Sequence, residues 1–212
     1  VDITGYIITA IAGYLLGSIP TGFLVAKARG VDIRTVGSKN MGATNVFRTL
    51  GKGPGIFVLF VDAAKGFIAC FCAADGVLNV LHVSNLDPQI NHLVGGIAAV
   101  LGHNYTCWLN FKGGKGIATT TGVFLALAPA GVGIAIVVWI SAFVATRYVS
   151  IASILAAIAL PLGVWFTLEN IPVRTIAIIL GLLAIIKHKA NIQRLMNGTE
   201  NRIVFNKPKD AK

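Results

Sequence analysis

Long apolar stretches alternate along the chain with short polar ones that carry glycines and cations. Ile3 to Val25 is apolar, Ala26 to Gly53 is polar, and an apolar run resumes behind Pro54 to about Ala74. A loop from Asp75 to Gln89 holds no Lys or Arg. Apolar residues then return from Ile90 to Cys107, Ile117 to Thr146, Ile151 to Leu168 and Val173 to Ile186, with Glu169 to Pro172 as a turn. A membrane crossing takes roughly 20 apolar residues, so these runs predict transmembrane helices. Ile117 to Thr146 as one helix would reach about 45 Å against a hydrocarbon core of about 30 Å. Pro129-Ala130-Gly131 is the natural break, giving two helices of roughly 12 to 16 residues that cross only with tilt or local thinning. The expected fold is all-α: one polytopic membrane domain over residues 1–212 with seven transmembrane helices, and interfacial loops or short helices on the cytoplasmic side.

Composition agrees. The chain is 55% hydrophobic and only 12% charged, with a mean hydropathy of +0.77, whereas a soluble domain carries about 25% charge. The formal charge of +10 would suit nucleic acid or a membrane protein's topological signal, and the placement of the charges decides. With seven crossings, all of the 18 Lys and Arg residues except Lys65 and Arg174 fall on one side, while Asp2, Asp75, Asp87 and Glu169 fall on the other. The positive-inside rule makes the basic side cytoplasmic, with the N-terminus outside and the C-terminus inside. Six crossings would part Lys112 and Lys115 from the C-terminal tail. The bilayer, not nucleic acid, is therefore the expected partner. Val1-Asp2-Ile3 lacks a signal peptide's basic n-region, so the first apolar run is expected to stay as a helix. Cys70, Cys72 and Cys107 have neither CxxC spacing nor an even framework, so no metal site or disulfide scaffold is expected.

Three polar segments on the basic side carry candidate chemistry. The first holds Gly17-Ser-Ile-Pro-Thr-Gly22 and then Val36 to Arg48, where Ser38, Lys39, Asn40, Thr44, Asn45 and Arg48 cluster with Gly37 and Gly42. Lys39 alone reads as a solvated loop residue; the clustering of donors with glycines suits a phosphate. The second runs from Gly102 to Ala118 and includes Lys112 and Gly113-Gly114-Lys115-Gly116 ahead of an apolar helix, a pattern for an anion cradle of backbone amides and lysine. It lacks Walker A spacing. The third runs from Lys187 to Arg202. His188 and Asn191 lie three residues apart at a helix exit and face one way, and two readings of His188 stand: a cap on helix carbonyls, or a site residue. Glu200 is expected to pair with a nearby Arg or Lys. Asp62 and Lys65, one turn apart inside a span, are expected to form a buried ion pair as structural support. His82 and Asp87 have the HxxxxD spacing of another acyltransferase class, but fall on the outer face, away from the other polar clusters.

Together the segments Gly17 to Lys52, His103 to Gly122 and His188 to Arg202, with Asp62-Ala-Ala-Lys-Gly66 and Arg147-Tyr-Val-Ser150, resemble the signature regions of the bacterial acyl-phosphate:glycerol-3-phosphate acyltransferase family. The resemblance spans nearly the whole chain. It implies transfer of a fatty acyl group from acyl phosphate to the 1-hydroxyl of glycerol 3-phosphate, giving lysophosphatidic acid and phosphate, in the bacterial cytoplasmic (inner) membrane and without a cofactor. It implies that Ser38, Arg48, Lys115, His188 and Asn191 grip glycerol 3-phosphate, with Ser153 beside them. Asn45 and Gly113, Gly114, Lys115 and Gly116 would hold the acyl-phosphate head, with Asn40, Thr44 and Lys112 in the same binding set. The substrate's own phosphate is preferred over His188 as the base. An organophosphate transporter and an acyl-CoA-dependent enzyme of the same fold are the competing readings. No oligomeric state follows from the sequence.

Overall fold

The computed structural model describes residues 3–73, 75–76 and 86–203. Among these residues all regular structure is helical. The first apolar run becomes α1 (Ile3–Ser18), breaks at Ile19-Pro20 and continues as α2 (Thr21–Lys27). Proline lacks the amide that would carry the helix on and its ring clashes with the preceding turn. The carbonyls freed by the break are taken up: Ser18 O accepts from Thr106 Oγ1 at 2.5 Å, and Ile19 O from Lys65 Nζ at 3.0 Å.

A loop leads to the short α3 (Ala43–Leu50). Gly51, at φ +93°, then turns the chain into α4 (Lys52–Ile68), which ends in a π-helical turn, Ala69–Ala73. That φ lies where a side chain is strained, so glycine sits at this corner. Next come α5 (Pro88–Asn104), a 3₁₀ turn (Cys107–Leu109), α6 (Ile117–Leu127), α7 (Pro129–Thr146), α8 (Val149–Thr167), α9 (Ile171–Lys187) and α10 (Lys189–Met196). The break predicted at Pro129 falls at Ala128, with Pro129 as the first residue of α7. Asp87, the acidic half of the HxxxxD spacing, caps α5 by accepting from the amides of Gln89 and Ile90; His82 lies outside the described residues.

The seven expected transmembrane helices are not all matched by helices of full crossing length. Among the described residues, four helical stretches are long and apolar enough to cross: Ile3–Lys27, Lys52–Phe71, Pro129–Thr146 and Val149–Thr167. A fifth is α9 with α10, bent by 52° where His188 joins them. The 17 residues of α5 fall just short, and the 11 of α6 reach only about 17 Å. The hydropathy pattern could not show that α6 starts from a loop folded back into the protein.

The helices pack in pairs, α1 on α5, α4 on α6, α7 on α8 and α8 on α9, with α3 lying across α4. Small residues let backbones touch. A Cβ on Gly17 would strike the Ala99 carbonyl, one on Gly66 the Thr119 carbonyl, and one on Gly122 the Ala63 carbonyl. In lipid this close approach supplies the attraction that water would otherwise drive. The Asp62–Lys65 pair forms as expected, at 2.8 Å with both side chains almost wholly buried. Its ammonium also bonds the carbonyl at the α1 break, so the pair ties α4 to α1.

Removing one member of a buried pair strands the other charge, at a cost of about 3–5 kcal/mol. Lys65→Met should lower the melting temperature of the detergent-solubilised protein by roughly 5–10 °C, and adding Asp62→Asn should recover part of the loss. An unchanged melting temperature in the single variant would show that the pair does not anchor the break.

Candidate active site

Folding brings the three polar segments together at one end of the bundle. They enclose a cavity of about 450 Å³ whose polar end is lined by Ser38, Asn40, Thr44, Arg48, Lys115, Ser150, Ser153, His188, Asn191 and Glu200. The cavity continues between α7, α8 and α9 as an apolar sleeve lined by Ala135, Trp139, Ala156, Ala157, Leu160 and Gly181, and Val132. Leu59, Phe60 and Ile136, all substantially exposed, line it as well, so it opens sideways toward lipid.

Each polar group is placed by its neighbours. Lys115 Nζ donates to Asn191 Oδ1. Asn191 Nδ2 donates to Glu200 Oε1 at 2.9 Å, and Arg194 Nε to Glu200 Oε2 at 2.7 Å, so Glu200 has the cationic partner the sequence suggested. Arg48 crosses to the C-terminal segment and donates to the Asn201 carbonyl at 2.8 Å. Arg202 Nε reaches the Thr146 carbonyl and Ile203 N the Arg147 carbonyl, strapping residues 200–203 across the polar end. Trp139 Nε1 donates to Ser153 Oγ at 3.3 Å.

His188 makes the capping contact and also borders the cavity; its Nδ1 lies 2.8 Å from the Ala184 carbonyl one turn back. A carbonyl only accepts, so Nδ1 carries the proton and Nε2 keeps its lone pair. Burial brings the Lys115 ammonium down to about 8, with Glu200 opposing the shift and Arg194 and Arg48 adding to it. For Glu200 burial acts upward, but the hydrogen bonds from Asn191 and Arg194 outweigh it and hold the carboxyl below its ordinary range.

Several expected contacts are used otherwise. The Gly113 and Gly114 amides donate to the Asn104 and His103 carbonyls at 3.2 and 3.0 Å, so they are not open to an anion. Their glycines are there for space: a Cβ on Gly113 would strike the His103 carbonyl, and one on Gly114 the His103 ring. These two line a neighbouring basin with Asn40, Lys115, Lys187 and Lys189. Gly116, at φ +80°, turns the chain into α6, whose first-turn amides have no side-chain cap and border the main cavity. Asn45 touches the cavity, yet its side chain is spent on its own loop. Nδ2 donates to the Ile33, Val36 and Asn40 carbonyls, and Oδ1 accepts from the Ser38 amide at 2.9 Å. It shapes the loop that presents Ser38 and has no hydrogen left for a head group. Lys112 is exposed and lines neither cavity. His103, given no role from sequence, is buried beside Asp62 at 3.7 Å and supports the Gly114 loop. No linear spacing signals that contact.

A cationic chamber at a helix-bundle end, continuous with an apolar sleeve, is the arrangement of a membrane protein that handles a phosphate-bearing head and a lipid tail together. Comparisons with known proteins agree. The family description glycerol-3-phosphate acyltransferase matches residues 7–198. The glycerol-3-phosphate acyltransferase of Geotalea daltonii is 48% identical, covering 93% of this chain and 97% of that protein. Its counterpart from Geobacter sulfurreducens is 47% identical, covering 92% and 96%. The crystal structure of PlsY (YgiH), an integral membrane glycerol 3-phosphate acyltransferase, in its glycerol 3-phosphate form superposes with a TM-score of 0.84. Sequence identity is 41%, over 94% of this chain and 96% of that one. The lysophosphatidic acid form gives 0.81 at 40% identity, over 94% and 95%. The chain belongs to the glycerol-3-phosphate acyltransferase family.

The lysine bears its charge below about pH 8 and loses it above. Affinity for inorganic phosphate should therefore fall as pH rises through about 8, by calorimetry on the solubilised protein, and Lys115→Arg should keep its affinity to higher pH. Affinity flat from pH 7 to 10 in the wild type would remove Lys115 from the anion site.

Proposed function

We propose that this chain transfers a fatty acyl group from acyl phosphate to the 1-hydroxyl of glycerol 3-phosphate, forming lysophosphatidic acid and inorganic phosphate. The single observation that carries the reading is the continuity of the cavity: cations and hydroxyls at one end, an apolar sleeve at the other. One substrate is small and doubly charged, the other has a charged head and a lipid tail, and the two halves of the cavity match those needs. Arg48 and Lys115 supply charge for phosphate oxygens, with Ser38, Ser153, His188 and Asn191 as hydrogen-bonding neighbours.

The mixed anhydride is already activated, so the protein's task is to hold two phosphates and aim one hydroxyl. The hydroxyl oxygen attacks the acyl carbonyl, the bond from that carbon to the bridging phosphate oxygen breaks, and phosphate leaves. The hydroxyl proton needs an acceptor. A bound substrate phosphate, with a second pKa of about 6, is the acceptor, while His188, its Nδ1 tied to the Ala184 carbonyl, accepts a hydrogen bond at Nε2 and orients the substrate.

The same reading makes the chain one domain of the bacterial cytoplasmic membrane, with its N-terminus outside and the polar end facing the cytosol. Seven passes include the short α6, which starts from the recessed Gly113–Gly116 loop. Purified protein offered labelled glycerol 3-phosphate with acyl phosphate, acyl-CoA or acyl carrier protein should make lysophosphatidate from acyl phosphate alone. Turnover with acyl-CoA at a comparable rate would overturn the donor assignment.

A further inference from the structure

The chamber's lysine does not stand by itself. Four side chains from two elements and a tail form one chain of hydrogen bonds, Arg194 to Glu200, Asn191 to Glu200, and Lys115 to Asn191. An asparagine amide has two chemically different ends that can be exchanged by a flip. Here the carboxylate of Glu200 settles the choice, because it can only accept. It draws Nδ2 to itself at 2.9 Å and leaves Oδ1 pointing at Lys115. We propose that Glu200 is a positioning residue for the acyl transfer, aiming and keeping charged the Lys115 ammonium through the amide of Asn191 while itself touching no substrate. This rests on the phosphate-holding role given to Lys115 above.

The relay has a geometric basis apart from any titration. Glu200 is buried, it is held from both sides by Asn191 and Arg194, and its segment is strapped down by Arg202 and Ile203 at the turn between α7 and α8. The charged and titratable groups facing Lys115 are Arg48 from α3, His188 at the bend between α9 and α10, Arg194 from α10, and Glu200, with Lys187 and Lys189 lining the neighbouring basin it shares. Of these only Glu200 is negative, so it alone offsets the burial and the two arginines that favour the neutral lysine. Arg194 balances it. Loss of either partner should therefore move Lys115 in opposite directions.

The test is the pH dependence of kcat/KM for glycerol 3-phosphate, whose alkaline limb reports the free enzyme. Glu200→Gln keeps the shape and removes the charge. It should move the limb to lower pH by about one unit while retaining turnover near pH 6.5, where the lysine is still protonated. Arg194→Gln should move the limb upward. A residue that only stiffens the tail would lower activity equally at every pH. A folded Glu200→Gln protein with wild-type elution, and an unmoved limb, overturns the proposal. If that variant does not fold, Arg194→Gln decides, and a limb that stays put or moves downward overturns it. Should the wild type acylate nothing, the reading of the reaction fails, and the same shifts sought in phosphate affinity still judge the relay.

Discussion

Hydrocarbon offers no partner to a charge or a hydrogen-bonding group, so every such group below the membrane surface has to be satisfied by the protein itself. Most features of this bundle follow from that demand. Lys65 finds Asp62 and the carbonyl at the α1 break, Lys115 finds Asn191, and Arg48 finds the carbonyl of Asn201. All of these contacts except the Lys65–Asp62 pair join parts of the chain that lie far apart in sequence. Satisfying the cations is thus also what assembles the chamber.

The chamber's two halves answer different physical problems. At the polar end, burial leaves Lys115 poised near its titration point while the Ala184 carbonyl fixes the His188 ring, an arrangement suited to binding an anion. In the sleeve, α7, α8 and α9 present alanines and a glycine where larger residues would fill the space, leaving a sideways opening past Leu59, Phe60 and Ile136. A water-borne phosphate and a lipid-borne acyl group can therefore meet without either leaving its own solvent far behind. The mixed-anhydride chemistry proposed for this site asks for placement more than for a strong base.

Much of this was legible in the order of residues. Continuous apolar runs located the long helices, Pro129 marked the division of the longest run, and the distribution of lysine and arginine assigned remote segments to one face. Asp62 and Lys65 could be paired from the cost of burying a lone charge, and Glu200 was expected to find a nearby Arg or Lys, which is Arg194. The roles of individual polar atoms were not legible. Gly113 and Gly114 read as bare amides for an anion, whereas their missing side chains make room for His103. Asn45 read as a ligand, whereas its four hydrogen bonds shape a loop. Such competition between a ligand and the fold for the same donors is settled in three dimensions and leaves no trace in spacing.

The central claim is that the loop before α6 and the segment after α9 lie on one side of the membrane, with the turn before α9 on the other. In a chain whose Cys70, Cys72 and Cys107 are replaced by serine, single cysteines at Lys112, Gln193 and Glu169 can be reacted with a membrane-impermeant maleimide in sealed vesicles of known orientation. Positions 112 and 193 should label together from the cytosolic side, and 169 only from the opposite side. Labelling of 112 and 193 from opposite sides would pull the chamber apart and contradict the account.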